Sequence, residues 1–324
     1  MKALVVEAYG PWDTAEIRDI EEPQPGRDEV VVKVEAAGVN FPDILMMEGK
    51  YQFKPATPFV PGVEGAGVVT DVGEAVEDWS EGDRAIFLVD SGAFAEYVTV
   101  PRTRLLPLVE DISFVQGAGL AMIYGTSYHA LKQRADLQPG ETLLVLGASG
   151  GVGTAAVQLG KAMGASVIAC ASSAEKLDYA TSNGADFTID YSSEDIRARI
   201  KDVTDGAGPD VVYDPIGGDL AEAVFRSIGW RGRYLVVGFA AGDIPSLAFN
   251  LALLKGASLI GVFWGAFVAR EPHIAAQNFA EIVGMVESGQ IVPPVSDTYP
   301  LARAHQALGQ IADRQATGKL ILTM

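Results

Sequence analysis

Leu143–Ala165 reads LLVLGASGGVGTAAVQLGKAMGA. An aliphatic run gives way to a glycine cluster, then to a segment with Val152, Ala155, Ala156, Leu159 and Met163 on one helical face. Two chemistries fit such a strand–turn–helix. Gly147-Ala148-Ser149-Gly150-Gly151 matches G-x-S-x-G, the sharp turn that exposes a hydrolase serine. Read on to Gly153, the same residues form a glycine turn that cradles a dinucleotide pyrophosphate, although Ala148 stands where the first Gly of G-x-G-x-x-G would be. In that reading Gly150 lets the backbone approach the phosphates. Gly153 lets the helix pack close to the strand, and the positive helix N-terminus, at Gly151 and Val152, faces the anion.

The flanking sequence decides between them. A hydrolase elbow needs strand–helix layers upstream and a histidine on a late loop. Here the first ~120 residues alternate as short β-branched strands, such as KALVVEA, EVVVKVEAAGV and FAEYVTVP, separated by Gly, Pro and Asp turns. His273 and His305 fall at or within predicted helices, and no His-Gly-Gly segment precedes the loop. From Ser113 the rhythm changes: FVQGAGLAMIYGTSYHALKQ reads as helices with a break at Gly125. Six strands with crossover helices follow, the layout of a doubly wound parallel sheet. The tail carries helices and a last strand, GKLILTM, which pairs most easily back into the first domain. The expectation is an α/β chain: a discontinuous β domain, residues 1–121 and 265–324, with a nucleotide-binding domain at 122–264.

Cofactor choice is read from the end of the strand after the glycine loop, at Cys170. An acidic residue there would bind the adenosine ribose hydroxyls of NAD. This chain has Ala171, Ser172 and Ser173, then Lys176: hydroxyls and a cation, which suit the 2′-phosphate of NADPH. The same residues also read as a capping box, Ser172 with Glu175, and the two roles are compatible. Tyr128 and Lys132, at i and i+4, mimic the acid pair of short-chain reductases. That pair follows the glycine loop in those enzymes, whereas here it precedes it, so a packed helix turn is expected.

Composition narrows the field. The formal charge of −18 disfavours nucleic-acid binding. One cysteine, Cys170, and three histidines, His129, His273 and His305, allow neither an internal disulfide nor a metal site with recognisable ligand spacing. The most lipid-like run, GASLIGVFWGAFVA (256–269), is shorter than the ~20 residues a membrane span needs, and it reads as a buried strand with its following turn. MKALVVEAYGPW lacks a signal-peptide core, so a soluble cytoplasmic protein is expected.

AAGVNFPDILMMEGKYQ, VPGVEGAGVVTDVG, GDRAIF, YGTSYHAL, LQPGETLLVLGASGGVGTAAVQLGKAMGA and FWGAF occur in that order. Together they resemble the zinc-free, zeta-crystallin-like quinone oxidoreductases of the medium-chain dehydrogenase/reductase superfamily, nearly end to end. The resemblance implies a GroES-like β-barrel domain plus a Rossmann domain, NADPH as cofactor, and a quinone or activated alkene as small-molecule substrate. It also implies a homodimer through strand 257–263. It assigns Asn40 to the nicotinamide ribose and substrate, Tyr51 to the substrate, and Thr126, Gly238 and Phe239 to the nicotinamide. Ser172, Ser173, Lys176 and Tyr191 would surround the 2′-phosphate, with Arg314 a further candidate. Phe263 and Trp264 are cofactor or dimer residues, and Asn40 and Tyr51 are the candidate donors to the reduced acceptor. The chain departs from the family pattern in having Leu45 and Met47 where many members have Tyr and Arg, which favours an apolar substrate mouth suited to an enone or acyl chain. The zinc enzymes' GHE is GVE here, at Gly62-Val63-Glu64. An enone or enoyl-thioester reductase and a non-catalytic NADPH-binding protein remain as alternatives.

Overall fold

A computed structural model describes residues 1–324. The chain forms two compact units, Met1–Ala121 with Pro293–Met324, and Met122–Val292. It begins with β1 (Lys2–Val5), β2 (Glu16–Asp19), β3 (Glu29–Gly38), α1 (Phe41–Met47), β4 (Glu64–Val72), β5 (Arg84–Leu88), β6 (Tyr97–Pro101), β7 (Leu105–Pro107) and α2 (Phe114–Gly117). The second unit contributes α3 (Ala121–His129), β8 (Thr142–Leu146), α4 (Gly151–Ala162), β9 (Ser166–Ala171), α5 (Ala174–Ser182), β10 (Phe187–Asp190) and α6 (Ile196–Val203). It continues through β11 (Val211–Asp214), α7 (Leu220–Ser227), β12 (Arg233–Val236), α8 (Phe249–Lys255), β13 (Ser258–Gly261), α9 (Trp264–Arg270) and α10 (Pro272–Glu287). The chain returns with β14 (Val295–Pro300), α11 (Ala304–Ala312) and β15 (Lys319–Thr323).

In the first unit the main sheet runs β14-β15-β3-β4-β5-β7, with β6 also on β3. The final strand β15 pairs antiparallel with β3, Ile321 opposite Gly38, so the C-terminus completes the N-terminal sheet as the isolated GKLILTM run implied. In the second unit the order is β10-β9-β8-β11-β12-β13, all parallel. Its strands are continuous apolar runs because helices cover both faces. Leu144, Ile168, Ile189 and Val212 pack with Val224, Phe225 and Tyr234 in one buried cluster.

Three expectations are corrected. The return to the first unit lies at Pro293, not at residue 265. The reason is that α9 and α10 are bound to α3 and the turn after it. Glu281 accepts from both Tyr128 and Lys132, Gln133 and Asn278 exchange amide hydrogen bonds, and the His129 ring stacks on Phe267 at 3.8 Å. The Tyr128/Lys132 pair is thus spent in packing. Gly125 does not break α3: the Trp264 ring lies against it, where a Cβ would fall 2.7 Å from Cε2, so the glycine makes room for an indole. Third, β13 is not buried within the chain. It is the sheet edge, and Leu259 is 53% exposed.

Candidate active site

Strands β8 and β11 are neighbours from which the chain winds outward in opposite directions, the switch point where doubly wound sheets bind ligands. The glycine loop leaves β8 there. Gly147 has φ +59°, and Ala148 N donates to Cys170 O at 3.1 Å. Gly153 lies so close to the Gly147 carbonyl that no side chain fits, so its glycine is explained by packing of α4 on the loop. Gly150 is different. Its φ of −79° and ψ of 168° are open to any residue, and the nearest atom to a Cβ would be Gly147 O at 3.6 Å. Nothing in the protein requires glycine at 150; the space in front of it is open.

The first intrahelical bond of α4 runs from Thr154 N to Gly150 O, so the N–H groups of Gly151, Val152 and Gly153 precede any intrahelical acceptor. A bare backbone surface and a row of unspent donors form an anion seat. The sequence reading missed what steadies it. Buried Ser127 donates its hydroxyl proton to Val152 O at 2.9 Å and accepts from the Tyr213 hydroxyl at 2.9 Å. The available signal was a polar hydroxyl inside the apolar YGTSYHAL segment. Its neighbour Thr126 is half-buried in mid-helix and so is not a cap.

Ser172, Ser173 and Lys176 follow β9, all half-buried, and Tyr191 N donates to Ala171 O at 3.1 Å, bringing Tyr191 alongside them. The N-cap of α5 is Ser173, whose hydroxyl accepts from Lys176 N, rather than Ser172. Gly238 and Phe239 follow β12. Gly238 N donates to Asp214 O, and Phe239 lies against Gly217 of the loop after β11. Phe263 is 61% exposed, whereas Trp264 has the packing role described above. Arg314 belongs to the first unit, just after α11, in a left-handed conformation with φ 56°.

In the first unit, Asn40 N-caps α1. Its backbone N–H donates to Asp43 Oδ2 at 2.8 Å. Its side chain sits in a buried charge cluster with Glu64 and Lys319. Lys319 Nζ donates to Asn40 Oδ1 at 2.6 Å, Glu64 Oε1 at 2.6 Å and Val39 O at 3.0 Å. Asn40 Nδ2 donates to Gly38 O at 3.1 Å and Glu64 Oε1 at 3.0 Å. An ammonium only donates and a carboxylate only accepts, so the amide orientation is fixed by chemistry. Both amide protons are committed. This corrects the expectation that Asn40 is a donor to the reduced acceptor; it has only a remaining carbonyl lone pair. Removing one partner of such a buried pair costs ~3–5 kcal/mol, because the other charge is left uncompensated.

Asp43 Oδ1, also buried, has no partner. Burial pushes the Asp43 carboxyl up to about 7, against the opposing effects of the Asn40 N–H and Lys319. The half-buried Tyr51 phenol is held above its ordinary value, first by burial and then by the Asp43 charge. It remains protonated and makes no internal hydrogen bond, leaving a neutral O–H free to donate. Met47, expected at a substrate mouth, is a core residue, 1% exposed; only Leu45 of that pair is partly open.

Residues 26–110 match the alcohol dehydrogenase GroES-like domain, and residues 151–281 match the zinc-binding dehydrogenase domain. The chain is 39% identical over 300 residues to a quinone oxidoreductase-like protein 2 homolog of Nematostella vectensis, covering 92% of this chain and 82% of that one. It is 34% identical over 322 residues to a quinone oxidoreductase of Pseudomonas aeruginosa, covering 99% of each. The chain belongs to the quinone oxidoreductase family of the medium-chain dehydrogenase/reductases. Its fold superposes on the Escherichia coli quinone oxidoreductase complexed with NADPH with a TM-score of 0.93, at 26% identity and full coverage of both chains.

Despite the name of the matching domain, the donor set does not fit zinc in the family manner. Val63 stands where the zinc enzymes have histidine, and Glu64 is committed to Lys319 and Asn40. The only cysteine, Cys170, lies buried in the sheet with its thiol pushed up by burial. No group of three His, Cys, Asp or Glu side chains converges on a metal position.

Proposed function

We propose that this quinone oxidoreductase family member is an NADPH-dependent reductase that delivers a hydride to a quinone without zinc. The observation that carries the reading is Gly150: a glycine that the protein's own packing and torsions do not require, at the switch point of the sheet and beneath an unsatisfied helix start. A dinucleotide pyrophosphate supplies the missing reason. Gly151 and Val152 N–H groups hold it, and Thr126, Gly238, Phe239 and Phe263 meet the nicotinamide half. Ser172, Ser173, Lys176 and Tyr191 hold the 2′-phosphate, with Arg314 a further candidate.

NADPH, when bound, supplies the hydride. The chain's part is to place the acceptor and receive the charge that develops on its oxygen. Tyr51 donates its free O–H to that oxygen; Asn40 accepts from a ribose hydroxyl. The exposed apolar edge at Leu259 and Phe263, with Phe249, Leu253 and Leu254 on α8, supports a homodimer through strand 257–263, since an uncovered edge strand is a liability. Light scattering at micromolar concentration is expected to give a dimer mass. The net charge of −18 argues against a nucleic-acid partner, and the single buried cysteine suits the cytoplasm. No helix is long and apolar enough to cross a membrane.

The test is NADPH oxidation against a panel of quinones, enones and enoyl-thioesters. Quinone turnover supports the assignment. Turnover confined to enones or enoyl-thioesters moves it to activated-alkene reduction, and tight NADPH binding with no turnover would mark a non-catalytic binding protein.

A further inference from the structure

Lys319 opens the last strand, β15, yet it is 2% exposed. A lysine is rarely buried to this degree unless its charge is paired. The pairing here goes beyond charge neutralisation. Lys319 Nζ divides its three protons among Glu64 Oε1, Asn40 Oδ1 and Val39 O. Glu64 Oε1, in turn, accepts from Asn40 Nδ2 as well as from Lys319. Each of these bonds terminates on the Asn40 side chain, on the Val39 carbonyl just before it, or on the Glu64 oxygen that accepts from it. Asp43 secures the Asn40 backbone N–H from the other side.

We propose that Lys319 is a positioning residue. It donates to Asn40 Oδ1 and, with Glu64, locks the amide in one orientation, so that the only capacity Asn40 offers a bound molecule is an acceptor lone pair for a hydroxyl. On the role proposed for Asn40, that molecule would be the dinucleotide, through a ribose hydroxyl, with the acceptor's oxygen left to Tyr51. The inference rests on the role given to Asn40 above. Without Lys319 the amide has no cation to fix its carbonyl end. Gly38 O and Glu64 Oε1 still take its two protons, but the carbonyl end and the uncompensated Glu64 carboxylate are no longer held, so Oδ1 shifts from the position the hydroxyl requires, and the cost falls on cofactor binding rather than on the chemical step.

The experiment is a double-mutant cycle on the full-length protein with Lys319→Met and Asn40→Ala, each checked for a cooperative melt. Its readouts are NADPH affinity by fluorescence titration and kcat and KM for NADPH with a quinone. Asn40→Ala is expected to weaken NADPH about tenfold. Lys319→Met should do the same, with kcat within about threefold of wild type, and the double variant should be no worse than Asn40→Ala alone, since residues acting as one unit are not additive. Wild-type NADPH affinity in folded Lys319→Met, or losses that multiply in the double variant, would overturn the proposal. If Lys319→Met does not fold, Lys319→Met/Glu64→Gln, which removes both buried charges together, is judged by the same criteria. An unchanged Asn40→Ala enzyme would instead remove Asn40 from the cofactor and the positioning role with it. Loss through Asn40→Ala but not through Lys319→Met leaves the function intact and rejects only the positioning.

Discussion

Alanine substitutions at Gly150 and Gly153 separate the two reasons a glycine can have. At Gly150 the backbone is already in an extended conformation that alanine adopts, and the new methyl would meet nothing nearer than 3.6 Å. Losing the glycine's freedom in the unfolded chain stabilises by ~0.4–1 kcal/mol. Alanine is a poorer N-cap than glycine by a similar amount. The two effects offset, so Gly150→Ala should melt with wild-type stability to within about 1 kcal/mol. At Gly153 the methyl would lie 2.8 Å from the Gly147 carbonyl carbon and 2.9 Å from Ala148 Cα. Ordinary carbon contacts are ~3.5–4.0 Å, so the loop must retreat by on the order of 1 Å, an overpacking that costs ~1–3 kcal/mol. NADPH should respond in the opposite order to stability. If the open space is the pyrophosphate's, the Gly150 methyl would fill it, and binding should weaken at least tenfold, about 1.4 kcal/mol, with the fold untouched. Urea denaturation and fluorescence titration of the two variants measure both quantities. A Gly150→Ala protein that binds NADPH as wild type does would refute the argument that the open space is the cofactor's, and one that loses stability would show that the glycine is structural after all.

Lys176→Ala should weaken NADPH about tenfold or more and leave NADH nearly unchanged, because a charge-assisted contact to a phosphate contributes ~1.5–3 kcal/mol; equal losses for both cofactors would count against a 2′-phosphate site. Tyr51→Phe should lower kcat about 10–100-fold with little change in NADPH affinity, the range for one lost oxyanion donor or less, and an unchanged kcat would remove the phenol from the reaction. Asp43 should make stability fall as pH rises. Its folded value of about 7 lies above the unfolded value, so its contribution is fully present below about pH 4 and is lost by pH 7, up to roughly 4 kcal/mol. Urea midpoints at pH 5 and pH 8 should therefore converge in Asp43→Asn, which keeps an acceptor for Asn40 N; identical pH slopes in the two proteins would be contrary. Simple secondary alcohols with NADP⁺ should show no turnover, and efficient oxidation of one would contradict the requirement for an acceptor that delocalises its charge.

The parallel sheet was legible because each of its strands is a short apolar run bounded by turn residues, and the glycine loop because its spacing encodes a strand-to-helix turn. What could not be read lies in contacts between residues far apart in the chain. Tyr128 and Lys132 meet Glu281 about 150 positions later, and that meeting, invisible in any local window, keeps α9 and α10 with the parallel sheet and moves the domain boundary to Pro293. Gly125 reads as a helix break until the indole of Trp264 is laid against it. Glu64 and Lys319 are 255 positions apart, and each alone looks like a surface charge at a strand end. Asn40 stands out by its motif, but whether its amide has a proton to spare depends on contacts with residues distant in the chain.

That dependence bears on which acceptors can be reduced. Hydride transfer to a simple ketone leaves a localised alkoxide, which calls for a metal ion or a strong acid. In the first unit the acidic groups are the wrong kind for this. Glu64 is tied to Lys319, Asp43 is buried with one oxygen facing no donor, and the Asn40 protons are committed. The free proton belongs to Tyr51, a phenol made a weaker acid still by burial and by Asp43. A group of that strength can donate a hydrogen bond to an oxyanion but gives up its proton reluctantly. It suits an acceptor whose charge is already spread over a ring or a conjugated chain, as in a hydroquinone anion or an enolate. For such an acceptor, most of the acceleration can come from being held in reach of the hydride. On the proposed roles, a fixed amide that only accepts would take the cofactor's hydroxyl, and a lone phenol that donates would take the substrate's oxygen.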